Sequence, residues 1–188
     1  AVSFVRRGNP DDETFIIHFD DEVRLEQDFT ANIADLEKTL AASRPFGQTA
    51  IYDALILGLE HMEKAKEQKR VILLITDGID NSSKHTLAEA IERTKRSRVA
   101  VYTVGLLSAS GGQKAEDSLV RIAESSGGRA FFPNNVDEAR AYMERVARDL
   151  RRRGERLVLV VRRRPSHRVR RRVRRHLPPP PARRRHGR

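Results

Sequence analysis

Five consecutive apolar residues in Arg70-Val-Ile-Leu-Leu-Ile-Thr76 leave neither side of an extended segment for water. A strand buried on both faces belongs inside a parallel sheet covered by helices, whereas an exposed sheet alternates apolar and polar residues. Val99-Ala-Val-Tyr-Thr-Val-Gly105 has the same character. Thr14-Phe-Ile-Ile-His-Phe19 reads as a third buried strand. A short acidic turn then leads into Val23–Phe29, an antiparallel edge strand with Val23, Leu25 and Phe29 on one face. Helical spacing marks Ile33 to Ala41, Ala50 to Lys66, Thr86 to Arg96, Ala115 to Ser125 and Val136 to Arg152. The fourth of these stops at Gly127-Gly128, and Arg129–Phe132 is a short strand. Strands and helices alternating through short links predict βαβ units and a doubly wound, mostly parallel α/β sheet with one antiparallel edge strand.

Composition narrows the function classes. The chain of 188 residues has no Cys, so disulfides, thiolate metal sites and cysteine nucleophiles are excluded. Its longest apolar runs are far too short to span a bilayer. The first residues, AVSFVRRGNPDDE, have neither an initiator Met nor the pattern of a signal peptide, and read as a trimmed start. The net charge of +11 is unevenly spread. Residues 151–188 hold seventeen Arg against the single acid Glu155, a local +16, so the first 150 residues carry −5. Any polyanion argument therefore concerns the tail alone.

In doubly wound sheets, ligands gather at the carboxyl ends of the strands. Two polar clusters fall there: Gly47-Gln48-Thr49, opening a helix, and Asp77-Gly78 through Ser83, leaving the most apolar strand. Thr49 suits a helix N-cap, Asp77 a strand-end turn, and Asp80 to Ser83 loop and helix capping. No P-loop, no Gly-x-Ser-x-Gly and no His pair beside an acid occurs, and the Asp77 loop is not spaced as an EF-hand. No catalytic set emerges, and the expectation is a protein that is not an enzyme.

Phe46-Gly-Gln-Thr-Ala-Ile-Tyr-Asp-Ala-Leu55, the strand ending Thr76-Asp77-Gly78 and Val101-Tyr-Thr-Val-Gly105 resemble the von Willebrand factor type A domain family, in its bacterial branch. The resemblance runs over about residues 1–152 and implies a Rossmann-like sheet with a metal-ion-dependent adhesion site. In that family an Asp-x-Ser-x-Ser strand, a Thr and a further Asp hold Mg²⁺ or Mn²⁺, and a partner's carboxylate completes the shell. Thr49 and Asp77 match the last two ligands, with Gly47, Asp53 and Gly78 as loop support. Asp-x-Ser-x-Ser is absent, so the central first strand is expected to be missing, with a gap or strain in the sheet. The ligand set is then incomplete and no cation is expected on this chain, since Mg²⁺ dehydrates reluctantly. The resemblance implies a non-enzymatic interaction domain whose partner is an unknown protein ligand. It also favours a secreted or cell-envelope setting.

Residues 153–188 form a separate Arg/Pro-rich basic tail, expected to be disordered because packed like charges oppose folding. Within it Arg156–Val161 reads as a last edge strand, and Val169, Val173 and Leu177 share one helical face. The alternative function is binding of nucleic acid or an anionic membrane surface through this tail. A tail of this composition is also what GC-rich DNA encodes out of frame. A third, weaker reading is an accessory module of a metal-chelating or ATP-driven complex.

Overall fold

The computed structural model describes residues 13–42, 48–65, 70–76, 79–106, 112–153 and 156–161. Its strands are β1 (Thr14–Phe19), β2 (Val23–Thr30), β3 (Arg70–Thr76), β4 (Val99–Gly105), β5 (Ala130–Phe131) and β6 (Arg156–Val161). Its helices are α1 (Ile33–Ala42), α2 (Ile51–Met62), α3 (Leu87–Arg96), α4 (Gly112–Ser125) and α5 (Val136–Arg153). One six-stranded sheet has the order β2-β1-β6-β3-β4-β5, parallel throughout except for β2, which runs antiparallel to β1 at the edge. The doubly wound α/β reading is therefore correct.

The run in β3 is buried on both sides as its composition demands. Ile72 and Leu74 join a core with Phe15, Ile17 and α2, α3 and α4, while Val71, Leu73 and Ile75 join a second with Ile16, α1 and α5. Helices thus cover both faces, and each fully buried Leu or Ile contributes about 1.5–3 kcal/mol by leaving water.

Three expectations are corrected. No gap separates β1 from β3, because β6 lies between them and pairs with both. Arg156–Val161 is accordingly an inner strand and not an edge strand. A short apolar run flanked by arginines suits either place, and the choice is made by two buried strands that each need a parallel neighbour. On β2, Leu25 is 39% exposed and does not share a buried face with Val23 and Phe29. The β1–β2 register is regular from Val23 to Leu25, so Leu25 is exposed without a slip of register, and it shifts twice between Thr14 and Ile17, which breaks strict alternation towards Phe29. Phe29 instead stacks on the buried His61 ring at 5.0 Å, edge-on to Phe15.

Helix ends explain most boundaries. Thr86 and Glu89 form a reciprocal capping box at the start of α3, and Arg93, Lys95 and Arg96 sit in its last turn, where cations complement the dipole. α2 is shorter than its pattern suggested and ends at Met62. α4 begins a turn earlier than expected and closes with Gly127 at φ 76°, a conformation that favours glycine. Gly128 N then donates to Ala123 O at 3.0 Å. A Cβ on Gly128 would lie 2.0 Å from the Val101 carbonyl oxygen, so β4 and the end of α4 meet without room for a side chain.

Candidate functional site at the carboxyl edge of the sheet

The carboxyl edge is built by three segments: Asp20 to Glu22 after β1, Gln48 to Ala50 before α2, and Ile79 to Thr86 after β3. Ala50 N donates to Asp20 O at 3.1 Å, and Gln48 N donates to an Asp21 carboxylate oxygen. Asp20 also accepts from Glu22 N at 3.0 Å and from the Arg24 guanidinium at 2.9 Å. These contacts tie the end of β1 to the entry of α2.

The loop after β3 grips the same entry from the other side. Thr49 N donates to Asn81 Oδ1 at 2.7 Å, while Asn81 N and Ser82 N both donate to Thr49 O, at 3.0 and 3.3 Å. Ala50, the N-cap of α2, offers no side-chain cap. Asp80 and Ser83 supply one from the loop: Tyr52 N donates to Asp80 Oδ2 at 3.0 Å, and Tyr52 N and Asp53 N both donate to Ser83 Oγ at 3.1 Å. Ser83 Oγ donates in turn to Asp80 Oδ2 at 2.5 Å. A carboxylate at a helix N-terminus satisfies open N–H groups and complements the dipole. Asp80 and Ser83 therefore cap, as the loop reading expected, but they cap a helix some thirty residues earlier in the chain. Ser82 Oγ is buried without a hydrogen-bond partner among the described residues.

Asp53 locks the far end of the loop. Its carboxylate accepts from Lys84 N at 2.9 Å, from His85 N at 3.0 Å and pairs with His85 Nδ1 at 2.7 Å. Burial opposes its ionisation, but these contacts outweigh burial and hold the carboxyl below its ordinary value.

Of the site residues named from the sequence, Thr49 and Asp53 lie at this edge, with Thr49 2% exposed. Asp77, Gly47 and Gly78 lie outside the described residues. Asp20 and Asp21 were not singled out from the sequence, although the acidic cluster after the β1 run was a visible signal; Asn81 was read only as part of the capping loop. The described residues do not fit the cation centre that the resemblance implies. No three His, Asp or Glu among them are grouped to hold an ion, and Asp53 and Asp80 are engaged with backbone donors. The inner position of the sheet carries Arg-Leu-Val-Leu-Val-Val, which offers no oxygen side chain.

Several solved structures share this architecture. The vWF domain of the type V pili tip protein Mfa5 from Porphyromonas gingivalis aligns with TM-score 0.67 and 14% identity, over 82% of this chain and 87% of that one. An aerotolerance-related membrane protein from Bacteroides fragilis gives 0.62 and 17%, over 79% and 85%. Proximal thread matrix protein 1 from the mussel byssus, solved with a zinc-occupied MIDAS motif, gives 0.62 and 24%, over 78% of this chain and 37% of that one. At these identities the likeness concerns the fold. No curated protein sequence matches the chain. The family model of the von Willebrand factor type A domain matches residues 2–154, and the chain belongs to that family.

Proposed function

We propose that this chain is a non-enzymatic protein-interaction domain of the adhesion type, working at the carboxyl edge of its sheet. The observation that carries the reading is the clasp on Thr49, which the loop after β3 holds buried where α2 begins. A rigid edge built by loops from several strands is what a fold of this kind offers a partner. In a form that carries the missing ligand strand the reading extends to a divalent cation, Mg²⁺ or Mn²⁺, shared by Thr49, Asp77 and a partner carboxylate, with Asp53 supporting the loop. That form needs an Asp-x-Ser-x-Ser strand where β6 now lies. Relatives in fold include a pilus tip protein and a membrane protein, which supports a cell-envelope setting. No described helix is long and apolar enough to cross a membrane.

Calorimetry tests the metal arm. This chain is expected to show no saturable Mg²⁺ or Mn²⁺ binding at low millimolar concentration. A version with an upstream strand ending Asp-x-Ser-x-Ser should bind, lose binding in Asp77→Ala and weaken in Thr49→Ala. Saturable binding indifferent to both substitutions would put the site elsewhere.

The seventeen arginines of residues 151–188 support a second reading, polyanion binding by the tail. Its mark would be an affinity that falls steeply with salt, vanishes when residues 162–188 are removed, and ignores Asp77→Ala.

A further inference from the structure

β6 is the strand on which the sheet's continuity depends, and it is unevenly held. The β2–β1 pair and the β3–β4–β5 group share no ladder with each other; each is joined to β6. All six residues of β6 are in register with β3, from Arg70↔Arg156 to Ile75↔Val161. Against β1 the register covers three, from Ile16↔Leu159 to His18↔Val161. The slot itself is strongly apolar, with Ile16, Ile17 and Val71 to Leu74 wholly buried beside it.

Two residues of sequence separate α5 from β6. Pairing Leu159 with Ile16 also closes a loop of more than a hundred residues, so this contact forms after the local ones. Until it forms, the slot is open, and β6 of any copy fits it equally well.

We infer that the slot between β1 and β3 also takes β6 from a second copy of this chain, giving a strand-exchanged two-fold dimer. Exchange of an identical element makes the same contacts in both arrangements, so concentration decides between them. The inference goes beyond the interaction reading and does not depend on a metal.

The absence of native Cys makes a direct test available. Full-length Arg70→Cys chains, isotopically labelled, are mixed with unlabelled Arg156→Cys chains, unfolded, refolded together at rising concentration and oxidised. Neighbouring strands bring such a pair within disulfide reach. Exchange predicts a labelled–unlabelled linked dimer, several-fold more abundant than in a control mixture of Lys95→Cys with Arg156→Cys, and increasing with concentration. Linked dimer no more abundant than the control overturns the inference. So does an Arg70→Cys/Arg156→Cys double variant that closes within one chain and stays monomeric at every concentration. A double variant that forms no disulfide at all, within or between chains, overturns it as well by removing β6 from the slot.

Discussion

Thr49 and Asn81 hold each other reciprocally: the amide of Thr49 donates to the Asn81 side chain at 2.7 Å, and the amide of Asn81 donates to the Thr49 carbonyl at 3.0 Å. The pair joins the start of α2 to the loop after β3, alongside the contacts of Asp80, Ser83 and Asp53. Asn81→Ala leaves a buried N–H without its acceptor, which costs about 1–3 kcal/mol. Asn81→Asp keeps the acceptor oxygen and should lose less. Urea denaturation of the two variants checks the order, and equal losses would show that the acceptor is irrelevant.

Asp53 makes the same loop sensitive to acid. Its carboxyl is held below its ordinary value in the fold, so the stability it contributes is present above the unfolded-state value and is lost as pH falls through the folded one. Stability should therefore decline below about pH 4, the ordinary carboxylate range. Asp53→Asn should be less stable at neutral pH and show a flatter acid limb. A denaturation series from neutral to acid pH, in which both proteins decline in parallel, would remove Asp53 from this role.

Gly128→Ala asks for a methyl group 2.0 Å from the Val101 carbonyl oxygen. The obstructing atom is backbone and cannot swing aside, so β4 and the end of α4 must separate. A loss of about 3 kcal/mol, at the upper end for overpacking, is expected in thermal or chemical unfolding. A neutral result would mean that the two elements are not in this contact.

Leu159→Pro tests the inner position of β6. Leu159 is in register with both Ile16 and Leu73, and proline removes a ladder donor and is confined to edge strands or bulges. The substitution should broaden or abolish cooperative unfolding of the whole sheet. An unchanged, sharp transition would indicate that β6 is not an inner strand.

Local pattern alone was enough for β3, β4 and the helix closure at Gly127. Doubly apolar runs have one environment that suits them, and a glycine pair after a helical stripe ends it for conformational reasons. The Thr49 motif likewise pointed to the carboxyl edge, because its helix start and the β3 loop must converge there in a parallel sheet. The place of β6 was not legible in this way. Its apolar run is short, and the order of strands across a sheet depends on which neighbours remain unpaired, a property of the whole assembly. The capping of α2 by Asp80 and Ser83 was hidden for a related reason. Both residues are turn formers by type, and only the fold brings them to a helix whose own N-cap is an alanine. Periodicity thus determined which segments are strands and helices, while tertiary proximity decided which strand lies inside and which polar groups hold the edge, since burial and hydrogen bonding are satisfied between segments far apart in the chain.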